Sequence, residues 1–404
     1  MKVDSFRLLL IFATIVMPGQ HPKHLLFTKL ILNRFPRIIL LVLLPLFSVA
    51  QDVKPWSGFG IEVNPLVEKV YKHEAKFTVP LPALTTGLDV NLMLHTYGKM
   101  AWEQRRRYPT IGLGITYINY GIDSIYGRCV GIYPNIEIPL IRGKNLEWTL
   151  RLGDGIGYVT RRYSRVNPVD TLNVAIGSHI NDFFSFNMDI RYHVNNHWDI
   201  QLGGTFNHIS DASYHKPNLG INTYGAHIGI RYFPVTSKPP RIERKLEPLK
   251  NRWLFQARLG LAYVSSETSG GPLYPVYMAS AFASKRWISK NKAFVGIDYS
   301  YHTEVYAFLR NNEIYPGSEA SHSYKSAIFI GNEFMLGRVG AVLQIGVYIH
   351  EAALKLDPYY QKIGGNYYII QKEHGAIKEL FFSAFLLTHK IVAELGELGV
   401  GVGI

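Results

Sequence analysis

The sequence predicts an all-β fold, an antiparallel β-barrel that crosses a membrane, and three observations predict it. The first is alternation: Phe184, Phe186, Met188, Ile190 and Tyr192 interleave with Ser185, Asn187, Asp189 and Arg191. The same period of two appears in Leu146, Trp148, Leu150 and Leu152 against Glu147, Thr149 and Arg151. It recurs in Val295, Ile297, Tyr299 and Tyr301 against Gly296, Asp298, Ser300 and His302. Side chains two apart on a strand share a face, so each segment has one apolar and one polar side. The second observation is that the polar side carries both signs of charge, which suits a barrel lumen better than a dry sandwich core. The third is that, beyond the leader, no apolar run is long enough for a spanning helix. In 404 residues, 26 Tyr and 36 Gly with a mean hydropathy near zero suit amphipathic strands instead.

Taken in order, the chain opens with a leader. An apolar run from Ile38 to Phe47 follows Arg34 and Arg37 and ends in Ser48-Val49-Ala50, small residues of the kind a signal peptidase needs. Residues 1–50 are therefore expected to be removed, with the mature chain starting at Gln51. A second apolar stretch, Leu8 to Val16, lies awkwardly upstream, so the true start is expected further along. Strands are predicted at 57–64, 86–97, 109–119, 126–138, 146–160, 183–193, 198–210 and 222–233, an even count as bacterial barrels require. The connections at 141–145 and 193–197 are short, as periplasmic turns are, whereas 161–182 and 211–221 are long and read as extracellular.

The region 51–233 is followed by a charged, proline-containing linker at 234–251, unlike any strand. A second strand region, 252–404, carries runs at 252–264, 273–287, 292–304, 322–336, 339–352, 359–370, 377–389 and 393–404. One barrel of about sixteen strands fits this pattern, and so does an eight-stranded unit followed by a second set. The second is favoured here, as a separately closing unit.

The formal charge of +13 does not form one basic face with stacking aromatics, so a nucleic-acid partner is not expected. It is spread over the leader, the linker and Arg105-Arg106-Arg107, read as a solvated periplasmic turn. The single cysteine, Cys129, allows no intrachain disulfide and reads as an inert buried thiol; no metal site is built on it. His73-Glu74 and His350-Glu351 begin like a zinc-protease helix but lack the second histidine. No Gly-x-Ser-x-Gly elbow is present, and Gly112-x-Gly114 reads as close strand packing.

The segment that carries chemistry is Asn207 to Asn222, NHISDASYHKPNLGIN. His208 and Ser210 share a face with Trp198, Ile200, Leu202, Gly204 and Phe206, while Asp199, Gln201, Thr205 and Asn207 take the other. In a membrane barrel that apolar face meets lipid, and the loop parity puts His208 and Ser210 at the outer rim. A serine becomes a nucleophile when a neighbouring base takes its proton and a third group fixes the tautomer of that base. On the next strand, Asn222 shares a face with Tyr224, Ala226, Ile228, Ile230 and Tyr232, so a hairpin would bring it beside the pair.

His-x-Ser followed by Pro-Asn-x-Gly resembles the lipid A 3-O-deacylase family, called PagL-like or, more broadly, acyloxyacyl hydrolase. The resemblance covers about residues 56–233 and includes softer stretches, His95-Thr96-Tyr97-Gly98-Lys99 with Trp102 and Tyr108-Pro109. It implies an eight-stranded outer-membrane barrel of a Gram-negative bacterium with a Ser-His-Glu triad acting on an ester of lipid A, and no cofactor. Carried over by position, it makes His208 the base, Ser210 the nucleophile and Asn218 the oxyanion donor. This chain departs from the family's reference pattern at three places: Asn222 stands where the acid is, Asp211 follows the serine where an asparagine does, and Ser213 fills a glycine position. Asparagine can hold a histidine tautomer but cannot stabilise the imidazolium by charge, so slower chemistry or another acid is expected. Asp211 is the nearest carboxylate. Lys216, with His215, is placed to meet lipid A phosphates, and Phe206, with Trp198, to line an acyl-chain groove; a solvated loop charge and ordinary lipid-facing residues are the plainer alternatives. The expected function is an outer-membrane serine esterase acting on lipid A of lipopolysaccharide. The rivals are a non-enzymatic barrel, porin-like or lipopolysaccharide-binding, and an outer-membrane phospholipase.

Overall fold

A computed structural model describes residues 57–73, 76–166, 169–235, 240–246, 251–266, 269–353, 357–390 and 392–404. The expected leader and signal sequence lie outside the described residues. The first eight strands are β1 (Phe59–Tyr71), β2 (Thr85–His95), β3 (Thr110–Asn119), β4 (Arg128–Arg142), β5 (Leu146–Val159), β6 (Ile180–His193), β7 (Trp198–Ser210) and β8 (Ile221–Tyr232). The next eight are β9 (Trp253–Ser265), β10 (Leu273–Ile288), β11 (Asn291–His302), β12 (Tyr324–Leu336), β13 (Val339–His350), β14 (Tyr359–Gln371), β15 (Glu379–His389) and β16 (Val392–Gly403). Each neighbour pair is antiparallel, and the edges close as β1 on β8 and β9 on β16, making two eight-stranded barrels rather than one of sixteen strands. Among the described residues two α-helices interrupt the connections, α1 (Ala101–Arg105) and α2 (Thr303–Asn311). No helix among the described residues is long and apolar enough to cross a membrane.

The alternation has the physical consequence the sequence implies. Leu202, Ile228, Leu259 and Leu398 stand exposed on the outer walls, while the polar partners point inward and are shielded. Arg151, Arg191 and Arg231 are each at most 1% exposed. Arg151 pairs with Glu62 at 2.9 Å and with Asp89, Arg191 with Glu137 at 2.7 Å, and Arg231 with Glu62 at 3.2 Å. In the second barrel Lys362 bridges Asp298 at 3.0 Å and Glu397 at 2.9 Å, and Lys292 joins Glu379 at 3.0 Å and Glu333 at 3.1 Å. Charges out of water need such partners, because an unpaired buried ion costs several kcal/mol. Both lumens are thus packed with ion pairs rather than lined as water-filled pores.

Toward the rim that bears the β7–β8 connection, here called the upper rim, the first lumen becomes apolar. Ile118, Cys129, Tyr133, Val159, Phe183, Ile209 and Ile221 pack with Phe77, Val79, Tyr126 and Ile176 from the connections above. Cys129 is a free, buried thiol within that cluster.

Two expectations need correction. The first strand runs through Tyr71 instead of stopping at 64. Pro65 hides it: the ladder to β8 skips from Val63–Ile230 to Leu66–His227, because proline has no N–H to give, yet pairing then continues to Tyr71–Asn222. The Arg105-Arg106-Arg107 run is not simply a solvated turn, because α1 forms there. The Arg106 guanidinium donates to the main-chain oxygens of Met335 and Lys290, at 3.1 and 2.8 Å, and to Asn291 Oδ1 at 3.0 Å, all in the second barrel. Arginine has five N–H donors, and those of Arg106 reach the β10–β11 turn at Lys290, the start of β11 at Asn291 and the end of β12 at Met335.

Candidate active site

The site is built at the upper end of the β7–β8 hairpin. Ile209 and Ile221 face each other across the hairpin, point inward and lock the strand tips into the apolar cap. Their neighbours must then point outward, and His208 and Asn222 are a directly opposed pair. His208 Nδ1 lies 2.5 Å from Asn222 Oδ1, and His208 Nε2 lies 2.9 Å from Ser210 Oγ. An amide oxygen only accepts, so Nδ1 carries the proton and Nε2 is left to accept from the serine hydroxyl. Ser210 ends the strand and is 3% exposed; Asn222 is 8% exposed.

The connection 211–220 folds over this relay. Gly220 has a positive φ of +75°, and a Cβ there would sit 2.9 Å from His208 Cε1 and 3.5 Å from Ser210 Cβ. Glycine is needed for both reasons, the left-handed backbone and the close approach. Asn218 turns its Oδ1 to the Asp211 N–H at 3.2 Å, while its Nδ2 is buried with no acceptor among the described residues. A buried N–H without a partner is rare, and it is what an unfilled oxyanion site presents.

Asp211 lies beyond the strand end, so strand parity does not govern it, and it does not reach His208. Its Oδ2 accepts from the His215 main-chain N–H at 3.0 Å and lies 3.4 Å from His215 Nδ1. Burial pushes its carboxyl up to about 6, with His215 pulling the other way. Lys216 is in the same connection, half-buried, and Phe206 lies outward on β7 one step below His208, between Phe186 and Tyr224. Below Phe206 the outer wall turns small: Gly204 pairs with Ala226, and a Cβ at Gly204 would meet nothing nearer than Gly225 O at 3.8 Å. No cluster of three or more His, Cys, Asp or Glu able to hold a metal occurs among the described residues.

Sequence reading missed two supports. His73, seen there only as a failed zinc motif, has its Nε2 2.8 Å from the Leu219 carbonyl. The Gly220 N–H donates to Ala175 O at 2.9 Å. Both partners are remote in sequence, and no local pattern announces either contact.

Two family models match the chain, one in each barrel region. Residues 88–231 match the family described as lipid A 3-O-deacylase (PagL), and residues 251–404 match the acyloxyacyl hydrolase C-terminal domain. Among curated protein sequences, none matches the chain. Solved structures of similar shape include Neisserial surface protein A (NspA), 11% identical, covering 44% of this chain and 97% of that one, with a TM-score of 0.30. The outer membrane enzyme PagL is 15% identical over 43% of this chain and 99% of its own, at 0.29, and a Rh. blastica porin mutant is 8% identical over 86% and 99%, at 0.16. Likeness that faint carries no weight beside the two sequence matches, one for each barrel and together spanning most of the chain. On those matches, residues 88–231 belong to the lipid A 3-O-deacylase (PagL) family and residues 251–404 to the acyloxyacyl hydrolase C-terminal domain family.

Proposed function

We propose that this chain is an outer-membrane serine esterase that removes an ester-linked acyl chain from lipid A. The observation that carries the reading is the hydrogen-bonded series Ser210–His208–Asn222 on the outward, apolar wall of the first barrel, just below the upper rim. A substrate anchored in the outer leaflet meets that wall laterally, its acyl chain lying along Phe206, Gly204 and Leu202 and its sugar near the connection 211–220. Lys216 and His215 are then within the part of the chain that faces lipid A phosphates.

Ser210 Oγ attacks the ester carbonyl while its proton passes to His208 Nε2. Asn222 holds the ring so that Nε2 is the accepting nitrogen. The tetrahedral oxyanion takes a hydrogen bond from Asn218 Nδ2, a donor with no other acceptor among the described residues. On collapse the sugar hydroxyl leaves with the proton from His208, and water, activated by the same histidine, then frees the fatty acid from Ser210. Asn222 cannot match the developing imidazolium with a charge, so the reaction is slower than in a carboxylate triad.

The porin-like alternative is disfavoured by the lumens, whose ion-paired side chains fill the space a pore would need. The test is mass spectrometry of lipid A from cells expressing the intact chain or Ser210→Ala at matched outer-membrane levels. Loss of one acyl chain only with the intact chain is expected. Identical spectra would overturn the reading, and purified phospholipid offered beside lipid A would then separate a phospholipase from an inert barrel.

A further inference from the structure

The connection that covers Ser210 is held from two sides. On one, Ala175 and His73 bind the main chain of 219–220. On the other, it reaches the second barrel. Ala212 and Ser213 take left-handed backbone angles, φ +53° and +65°, unusual for residues with a Cβ. Ser213 is only 2% exposed, and its hydroxyl donates to the Ala393 carbonyl of β16 at 2.9 Å. Its own carbonyl accepts from the Ser265 N–H at the end of β9, at 3.3 Å. Tyr214 stands edge-on to Tyr263 of β9, with ring centroids 6.5 Å apart. Beside them, Gly396 of β16 faces Ala212 so closely that a Cβ there would lie 3.2 Å from the Ala212 Cβ and near nothing else.

Strained main chain persists where surrounding contacts over-determine it, and here those contacts come from a different barrel. We propose that the second barrel is a positioning element for the catalytic site of the first. The rims of β9 and β16 hold Ala212–Tyr214 in its left-handed turn, which fixes where Asn218 and Gly220 sit against Ser210 and His208. Ser213, Tyr263 and Gly396 are the positioning residues of this seat. The inference rests on the esterase reading for its catalytic consequence, but the seat itself is independent of it.

The experiment uses the full chain in detergent micelles. Gly396→Val intrudes on Ala212 from the second barrel, where the added Cβ meets no other atom within 4 Å, and Ala212→Gly removes the methyl it would strike while suiting the left-handed angle. Two readouts are taken: hydrogen exchange of the amides of 211–220, and kcat with KM on purified lipid A. Gly396→Val is expected to speed exchange in 211–220 and to lower kcat about tenfold or more with little change in KM, since misplacement by a fraction of an ångström is enough for that loss. The double variant Ala212→Gly/Gly396→Val is expected to restore both. Ser213→Ala, which removes one cross-barrel bond and leaves the second barrel intact, is expected to speed the same exchange even if Gly396→Val does not assemble. Unchanged exchange in the single variants overturns the proposal. So does faster exchange with unchanged or higher kcat, or a defect that Ala212→Gly fails to relieve. If the unmodified chain does not act on lipid A, the functional reading falls alone, and the exchange data still decide the seat.

Discussion

Replacing Asn222 by aspartate keeps the shape of the relay and adds the charge it lacks. Asn222 Oδ1 already lies 2.5 Å from His208 Nδ1, so a carboxylate of the same length would face the imidazolium that the proposed mechanism forms when Ser210 gives up its proton. Two unit charges with centres about 4 Å apart attract by about 4 kcal/mol at an effective dielectric near 20. Position 222 is only 8% exposed, so shielding the new carboxylate from water cancels part of that gain. A net stabilisation of the transition state by about 2–3 kcal/mol remains, or roughly a hundredfold in kcat at about 1.4 kcal/mol per decade. The assay is release of fatty acid from purified lipid A in micelles, with heat-modifiable gel migration as proof that the barrel is closed. Asn222→Ala provides the opposite arm: without an acceptor for Nδ1 the tautomer is no longer selected, and the rate is expected to fall by about a hundredfold or more. A folded Asn222→Asp chain with an unchanged or lower rate would refute the reasoning, because no positive charge would then be building on His208.

Other outcomes follow from single contacts. Gly220→Ala would push its Cβ to 2.9 Å from His208 Cε1 at a positive φ, and is expected to cut kcat at least tenfold while the barrel still assembles; an unaltered rate would show that the histidine does not depend on this approach. Gly204→Leu fills open space on the outer wall below Phe206, and is expected to leave folding intact but lower kcat/KM most for long acyl chains, a length dependence read with synthetic esters. Arg151→Met leaves Asp89 in the lumen without its cation and Glu62 with Arg231 as its remaining one; a loss of about 3–5 kcal/mol, seen as a lower urea midpoint, is expected. Asp211 titrates at about 6 in the folded chain against about 3.9 unfolded, so the folded state binds this proton more tightly. Its stabilising effect is complete below about pH 4 and is lost as pH rises through 6. Asp211→Asn is therefore expected to raise the melting temperature at pH 8, by the equivalent of roughly 2–3 kcal/mol at most, and not at pH 4. An equal shift at both pH values would contradict it.

The fold was largely legible because a barrel strand declares itself in three or four residues. Phe184 to Tyr192 reads as a strand with no knowledge of its neighbours, and β6 includes all of it. β1 was cut short because Pro65 and the Lys69-Val70 step break the alternation, while the pairing with β2 and β8 carries the chain past them. The motif residues were legible for a related reason. His208 and Ser210 are two apart on one strand, and Asn222 opens the next, so strand parity alone brings them to one face. Asp211 shows the limit of parity, since the strand ends at Ser210 and the carboxylate turns to His215 instead.

What the sequence determined by itself is local: the strands, their two faces, the polar lumen and the grouping of His208, Ser210 and Asn222. Each follows from the period of two and from residue chemistry within a short span. What only the tertiary structure decided is how many barrels there are and what holds the connection 211–220. Closure depends on whether β8 finds β1 or continues to β9, a competition between edges of equal hydrogen-bonding capacity that alternation cannot rank. The grip of Ala393 and Ser265 on Ser213, and of His73 on Leu219, joins residues far apart in the chain. Such contacts arise from where closed barrels put their rims, which no short stretch of sequence encodes.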